Sequence, residues 1–440
     1  VEDAIKKQAT AIVKTLRQKG FTAYFAGGCV RDLILGTPPK DYDIATDARP
    51  DQVQEIFPKS KSVGAHFGVI LVRRNEVDYE IATFRKDGEY LDGRRPDSVV
   101  FTTSEEDAQR RDFTINGLFF NPENETLIDH VNGQKDLETR VVRAIGDPQE
   151  RFAEDHLRLL RAVRFATVLE FEIEKETWEN IRIHATDIGK IAPERTREEI
   201  VKILVHPNRQ RGFDLLVDSG LMNEIFPEIL MLQGCEQPPQ WHPEGDVFVH
   251  TRIMLGLLPP DASLTLVLSV LFHDIGKPAT FTYDEEAQRI RFNGHDQVGA
   301  NMTDGILRRL RFTNEIIDTT VEAVANHMVF KDVQKMRTSR LKRFMARDGF
   351  EDELELHRVD CTSSNGLLDN HTFVLKKIED FASEPLIPPR LVKGQDLINR
   401  GWQPGPRFRE VLDAIQNAQL EGTLTTRDEA LEFVETHFPD

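Results

Sequence analysis

Two aspartates one residue apart, Asp41 and Asp43, stand a short distance after the glycine pair Gly27-Gly28. In Asp41-Tyr42-Asp43-Ile44-Ala45, the period-two alternation of a strand puts both carboxylates on one face and Tyr42 and Ile44 on the other. Adjacent like charges repel unless a cation sits between them. Hard oxygen ligands at this spacing suit Mg²⁺, with a triphosphate completing its shell. Two such metals activate a hydroxyl nucleophile and stabilise a leaving pyrophosphate. A lone Asp-x-Asp is usually a solvated turn; the glycine pair upstream favours the metal reading. Gly27 and Gly28 fall between a predicted strand (21–25) and a short predicted helix (30–35). A helix N-terminus there offers bare amides to phosphate oxygens, and Arg31, one turn in, reaches the same oxygens. Glu80, on a predicted strand over 77–84, offers a third carboxylate, although an exposed strand glutamate is common.

Two further polar blocks follow. Arg110-Arg111-Asp112-Phe113-Thr114-Ile115-Asn116 reads either as a helix start capped by Asp112 or as a set of phosphate and ribose contacts through Arg111, Asp112 and Asn116. The segment 151–169 has helical periodicity, which places Asp155, Arg158, Arg161 and Arg164 along one face at intervals of three. The plainest account is an i,i+3 salt bridge on a surface helix, worth a few tenths of a kcal/mol. The chemical account is base selection. A carboxylate accepts from an exocyclic amino group while a guanidinium donates to the ring acceptor beside it. Cytosine and adenine both present that edge; uracil and guanine do not. Asp155 with Arg158 therefore has the chemistry to select CTP and ATP without a nucleic-acid template.

Taken together, these blocks resemble the class II tRNA nucleotidyltransferases, the CCA-adding enzymes, and their bacterial poly(A) polymerase relatives. GGCVRD with DYD is similar to the first family motif, RRDFTIN to the second and EDHLRLLRAVRF to the nucleotide-selecting motif. The resemblance implies that Asp41 and Asp43 hold the metals and that Gly28, Arg31, Arg111, Arg161 and Arg164 hold the triphosphate. It also implies that Asp155 and Arg158 read the base. Residues 84–103 resemble the flexible loop of CCA-adding and A-adding members, which favours those over a CC-adding enzyme.

A separate constellation comprises His250, His273, Asp274, His295, His327 and Asp360, and LFHDIGKP resembles the HD phosphohydrolase superfamily. That resemblance implies a helical bundle with His250, His273, Asp274 and Asp360 on one cation. His295 and His327 are available to a second, since imidazole suits transition metals. A metal-free structural remnant is the alternative; the survival of every ligand type favours metal. Hydrolysis of a 2′,3′-cyclic phosphate or a phosphate monoester stays open.

The elements that must position these residues follow from pattern. Residues 3–19 read as an amphipathic helix, 68–73 and 77–84 as a hairpin turning on Arg74-Asn75-Glu76, and 99–102 as a further strand. Strand signals fade after about 146. The expected class is α+β: a mixed-sheet head related to DNA polymerase β, then a mostly helical remainder. We expect a catalytic head over 1–145, a base-selecting neck over 146–210, a body with the HD residues over 211–345, and an RNA-binding tail over 346–440. Pro238-Pro239 and Pro388-Pro389 are candidate joints.

The 440 residues carry a net charge of −18, which runs against phosphate binding in bulk. Basic character is local: 337–347 holds five positive charges and no negative one, and 390–409 holds five and one. The longest apolar run, 264–272, is too short to span a bilayer. No secretory leader is recognised, and Cys29, Cys235 and Cys361 are too dispersed for a disulfide framework. A cytoplasmic enzyme is expected, acting on the tRNA 3′ end with ATP and CTP, using Mg²⁺ in the head and a divalent transition metal at the HD residues. Oligomeric state is open. The rival readings are a poly(A) polymerase, disfavoured by the acidic ending ETHFPD, and an HD phosphohydrolase with an RNA-binding head.

Overall fold

The computed structural model describes residues 2–64, 68–88 and 97–438. The chain forms two compact units, Val1–Pro227 and Glu228–Asp440. The expected head and neck lie in the first, and the division at 227/228 falls inside the segment expected to be the body.

The first unit begins with α1 (Glu2–Gln18), β1 (Ala23–Ala26), α2 (Gly28–Ile34), β2 (Ile44–Thr46), α3 (Pro50–Ile56) and β3 (Lys61–Gly64). It continues with β4 (Val69–Arg74), β5 (Val77–Thr83), β6 (Arg85–Asp87), β7 (Val99–Phe101), α4 (Ser104–Gln109), β8 (Leu118–Asn121), β9 (Thr126–Asp129) and α5 (Gly133–Glu138). Seven strands form one sheet in the order β3-β4-β5-β2-β1-β8-β9. The β2–β5 pair is parallel and its other neighbouring pairs are antiparallel. In α1, Ala9, Ile12, Val13 and Leu16 form the buried stripe that three-to-four spacing dictates. Phe84 and Phe119 meet edge to face in the sheet's core, with centroids 5.7 Å apart. The β4–β5 hairpin turns on Asn75 and Glu76, at φ 49° and 64°, the left-handed pair whose twist matches the strands. Arg74, expected in the turn, instead continues the ladder opposite Val77. The loop expected over 84–103 has its ends paired as β6 and β7; residues 89–96 lie outside the described residues.

Four helices complete the site: α6 (Pro148–Glu154), α7 (Leu157–Leu169), α8 (Lys175–His184) and α9 (Pro193–Leu204). The single helix expected over 151–169 is thus two. Asp155 is extended, at φ −142° and ψ 102°, and its carboxylate accepts from the Leu157 amide at 3.1 Å. A capping aspartate starts α7 afresh. The apolar spacing runs through both helices, so the break leaves no mark on periodicity.

In the second unit, helices Val247–Leu257, Leu264–Phe272, His295–Arg309, Asn314–Asn326 and Phe350–Ser363 pack as a bundle. Leu264–Phe272, the apolar run of the sequence, is almost wholly buried and is capped by Ser263, which accepts from the Leu266 amide at 3.0 Å. A hairpin, Thr282–Asp284 with Arg289–Arg291, was not anticipated from the strand signals. The last segment has its own core around Val411, Ile415 and Leu431, against which Trp402 and Phe408 pack. Among the described residues, no helix is long and apolar enough to cross a membrane.

Gly133 starts α5 hard against the Thr114 carbonyl; a Cβ there would lie 2.1 Å from that oxygen. Replacing Gly133 by Ala should therefore destabilise the first unit by about 2 kcal/mol, seen as a lower urea midpoint; an unchanged midpoint would show that the backbone yields freely.

Candidate active site

The β2–β5 register pairs Ile44 with Ile81, so Asp43 and Glu80, one residue earlier on each strand, stand side by side at the same end of the sheet. Asp41 and Asp43 precede β2 in extended chain, exposed, while Tyr42 and Ile44 are buried, the alternation the spacing requires. Desolvation on its protein side, then the charges of Glu80 and Asp41, push the Asp43 carboxyl up to about 6, against the pull of Arg111. Glu80 is raised as well, by desolvation and by Asp41, with Arg85 opposing. Asp43 and Glu80, both hindered in ionising, form with Asp41 a carboxylate site whose repulsion a divalent cation relieves. Cys29, beneath them, is pushed up to about 12 by burial and by Asp43, and is no nucleophile.

Beside the carboxylates a chain of polar contacts joins the three motifs. Arg31 Nη1 donates to Asn116 Oδ1 at 2.8 Å, and Asn116 Nδ2 donates to Asp112 Oδ1 at 3.1 Å. Arg161 donates to Asp112 Oδ2 through Nε at 2.8 Å and Nη2 at 2.5 Å. Burial works against the Asp112 charge, but Arg161 and Asn116 hold the carboxyl down at about 2. The Phe165 ring gathers three guanidinium groups: Arg164 at 4.1 Å, Arg31 at 5.2 Å and Arg161 at 5.4 Å. Each contact is a cation–π attraction. Arg111 is fixed by Asp107, which accepts from Nε at 3.2 Å and Nη2 at 3.0 Å. Gly27, at φ 74°, leaves room for it, since a Cβ there would sit 2.9 Å from Arg111 Nη1. The result is a cluster of oriented guanidinium groups suited to a triphosphate.

Asp155 and Arg158 do not pair with each other. Arg195 of α9 donates to Asp155 Oδ2 at 3.0 Å, and Arg158 donates to Glu154 Oε2 at 2.6 Å and to the Arg110 carbonyl at 3.1 Å. The short-range salt bridge considered from spacing is therefore absent, because the break at Asp155 takes it off the α7 face. Arg164 is held by Glu199 at 2.5 Å.

All six residues of the second constellation meet in the second unit. His250 Nε2 lies 3.2 Å from Asp360 Oδ1, and His250 Nδ1 lies 2.7 Å from Glu244 Oε1. Against burial, these two carboxylates hold the His250 imidazole up at about 9. Asp274 reaches His273 Nε2 at 3.1 Å, His295 Nε2 at 3.4 Å and His327 Nε2 at 3.8 Å. The Nδ1 atoms of His273, His295 and His327 each lie against a main-chain carbonyl: Val270 at 2.8 Å, Phe292 at 2.7 Å and Val324 at 2.6 Å. Donation from Nδ1 to these carbonyls turns Nε2 toward Asp274, the orientation a metal ligand needs. The Nε2 atoms of His295 and His327 face each other at 3.1 Å. Burial, with the nearby His273, pushes His327 down to about 4. Within each of three groups the ligand atoms lie within 4.8 Å of one another: His242-Glu244-His250, His250-His273-Asp274 and Asp274-His295-His327. Among the described residues the head carboxylates form no such tight group.

The Poly A polymerase head domain matches residues 23–143. The family described as the probable RNA and SrmB-binding site of polymerase A matches 170–232, and the HD domain matches 247–356. The CCA-adding enzyme of Geobacillus sp. (strain WCH70) is 44% identical over 429 residues, covering 97% of this chain and 95% of its own length. The chain belongs to the CCA-adding enzyme family. Another CCA-adding enzyme, from Levilactobacillus brevis, is 45% identical over 216 residues, 49% of this chain and 54% of its own. The crystal structure of the Bacillus stearothermophilus CCA-adding enzyme in complex with CTP matches at TM-score 0.70 and 28% identity, covering 98% of each chain. The Thermotoga maritima CCA-adding enzyme complexed with tRNA shares the fold, at TM-score 0.62 and 21% identity, covering 99% of this chain and 96% of that one. Membership of the CCA-adding family makes this chain a nucleotidyltransferase with an α+β architecture.

Sequence reasoning missed the anchors: Asp107, Glu199, Arg195, Glu244 and Lys277. Asp107 was open to inspection, three and four residues before Arg110 and Arg111 on α4. Glu199 and Arg195 come from a helix about 40 residues away, and no local spacing marks them.

Asp112 yields a test. Its folded-state value lies below the ordinary 3.8, so its stabilisation is complete above about pH 4 and is lost as pH falls toward 2, roughly 2 kcal/mol in all. Asp112→Asn should flatten the acid limb of the stability profile and lower stability at pH 7 by more than that amount, since Arg161 is then left buried without its counter-charge. A variant that keeps the parent's slope between pH 4 and 2 would remove Asp112 from this role.

Proposed function

We propose that this chain adds CMP and AMP, from CTP and ATP, to the 3′ end of tRNA, making or repairing a CCA terminus in the cytoplasm. What carries the reading is the Arg31–Asn116–Asp112–Arg161 chain beside Asp43 and Glu80, in a protein so similar to a CCA-adding enzyme along its length. Asp41 and Asp43, with Glu80, would hold Mg²⁺, which supplies activation of the primer hydroxyl and stabilisation of the leaving pyrophosphate. Gly27 and Gly28 let the triphosphate approach the start of α2. Arg31, Arg111, Arg161 and Arg164 orient it, and Asp112 and Asn116 hold those arginines in place. Asp155 and Arg158 read the base once they turn from Arg195 and Glu154. We assign the head to 1–145, the neck to 146–210, the body to 211–345 and the tRNA-holding tail to 346–440. An A-adding enzyme is the nearest alternative.

The assay is extension of tRNAs ending at the discriminator base, at C, at CC and at CCA, with Mg²⁺ and single nucleotides. Addition of C, C and A that stops at CCA is expected. Addition only to the CC-ended tRNA would mean the A-adding subtype, and long A tails a poly(A) polymerase. Asp43→Ala should reduce addition by a hundredfold or more, as loss of several kcal/mol of metal-borne stabilisation requires (~100-fold).

For the second unit we infer a divalent transition metal held by His250, His273, Asp274 and Asp360, with His295 and His327 sharing Asp274 with a second. The Nε2 atoms of three histidines pointed at one carboxylate support it. Lys277, Arg289 and Lys331 line the adjoining cavity of about 660 Å³, which favours an anionic phosphate ester as substrate. Purified protein should retain transition metal after dialysis, measured by mass spectrometry, and Asp274→Ala should retain none. Parent protein free of metal and unable to take up Mn²⁺, Co²⁺ or Ni²⁺ would leave the cluster a structural remnant.

A further inference from the structure

Two basic runs stand out in the sequence, 337–347 and 390–409. The structure lays both along one helix, Pro406–Leu420. Arg343, from the first run, donates through Nη2 to Asn417 Oδ1 at 3.1 Å and to Gln416 Oε1 at 3.2 Å. Arg390, from the second, donates to Asp413 Oδ1 at 3.1 Å. Asp413 and Asn417 are four residues apart, so the two guanidinium groups are held one turn from each other along the same helix. The runs nevertheless belong to different hydrophobic cores. Leu341, Phe344 and Met345 pack with Phe330 and Val374. Val392 packs with Val411 and Ile415 of the helix and with Leu424 and Leu431. These two clusters share no member, so polar contacts between them carry the register of one against the other.

The firmest of those contacts centres on Glu421, immediately after the helix 406–420. Its Oε1 accepts from the Ser339 amide at 2.7 Å, at the start of the helix Thr338–Met345. The hydroxyl and amide of Ser339, joined by the amide and hydroxyl of Thr338, hold the Glu421 carboxyl below its ordinary range. The helix's own cap residue, Arg337, makes no side-chain cap, so amides that a local Ser or Asp would satisfy are satisfied from another element. An anion there also meets the positive end of the helix dipole. Gln419 adds a second tie: it accepts from the Leu391 amide at 3.3 Å and donates to the Pro389 carbonyl at 2.9 Å, holding the chain on either side of Arg390. Glu421 is exposed, and its charge has the wrong sign for a surface that meets RNA; the cap accounts for its presence. We propose that Glu421 is a positioning residue for RNA binding: by capping the helix 338–345 it docks the last core and keeps the two basic runs in one register, so that they meet an RNA backbone as a single surface. This rests on the assignment of tRNA holding to the tail given above. Phosphate neutralisation depends on how many cations are presented together, and runs that drift apart present fewer.

The test measures the affinity of the full chain for a tRNA ending at CC, by fluorescence anisotropy over a range of salt. By charge alone, Glu421→Ala should tighten binding, because it removes a negative charge. Positioning predicts the reverse: affinity falls about tenfold and the salt slope shrinks by about one or more. KM for tRNA should rise while KM for ATP and kcat at saturating tRNA hold. Glu421→Gln keeps one acceptor oxygen and should fall between parent and Glu421→Ala. Arg390→Ala should weaken binding in the parent and add little in Glu421→Ala, since a run already released has lost its partner; such non-additivity is the mark of coupling. A further readout needs no RNA. Tryptic cleavage after Arg390 should be faster in Glu421→Ala, with circular dichroism confirming that the helices persist; if that variant fails to fold, Glu421→Gln carries the same comparisons. Tighter binding in Glu421→Ala, additive losses or unchanged cleavage would overturn the positioning role. If Arg390→Ala still weakens binding in that event, the tail reading stands. Unchanged affinity and salt slope in every variant would overturn the tail reading and the positioning role together.

Discussion

One buried carboxylate organises the first unit. Asp112 takes two hydrogen bonds from Arg161, one from Asn116 and one from the Phe113 amide at 2.8 Å. Its charge survives burial only because the guanidinium neutralises it. Removing one partner of such a pair costs far more than the pair contributes, because the other is left uncompensated. Through Asn116 the same carboxylate orients Arg31, and through Arg161 it fixes one of the three cations around Phe165. Arg161 gives two of its five N–H groups to Asp112, and a planar fork so tethered has its remaining donors aimed before a ligand arrives. The guanidinium-rich surface is thus oriented by contacts formed on folding.

The second unit uses the opposite electrostatic arrangement. In the head, buried cations are balanced by carboxylates, and the mutual repulsion of Asp41, Asp43 and Glu80 is confined to an exposed edge. In the HD cluster, main-chain carbonyls engage the Nδ1 side of three imidazoles and turn their Nε2 atoms toward Asp274. Lys277, 2.6 Å from Asp274 Oδ2, supplies the one full positive charge held directly against that carboxylate by a lysine or arginine among the described residues. Both devices are preorganisation: the first fixes a group of donors, the second gathers a group of candidate metal-ligand atoms.

What could be read from the sequence was whatever is encoded by spacing within a few residues. The α1 stripe, the alternation around Asp41 and Asp43 and the β4–β5 hairpin all have local signatures. The HD set, spread from His250 to Asp360, was legible instead through the resemblance of LFHDIGKP and of the residue order to the HD superfamily. The parallel pairing of β2 with β5, which brings Glu80 beside Asp43, joins strands separated by a helix and two other strands, and Glu80 alone looked like any exposed strand glutamate. Arg195 and Glu199 reach Asp155 and Arg164 only through the packing of α9 on α7. The 282–291 hairpin is short and largely exposed, so it lacks the apolar alternation that reveals strands. The break at Asp155 was concealed because burial continues smoothly from Phe152 to Leu157 and Leu160, and burial is what periodicity reports.

That break has a consequence for how a base is chosen. On the proposed assignment, the acceptor belongs to an extended junction residue and the donor to the first turn of a helix. Their separation is then set by two backbone torsions at Asp155 rather than by the fixed rise of an α-helix. A rigid helical pair would present one spacing to every incoming nucleotide. A pair that straddles a joint can present more than one, so purine and pyrimidine need not share a single geometry. The selectivity would then be written in the articulation between α6 and α7, and a change in the length or stiffness of that joint would alter the reading frame for bases while leaving both side chains in place.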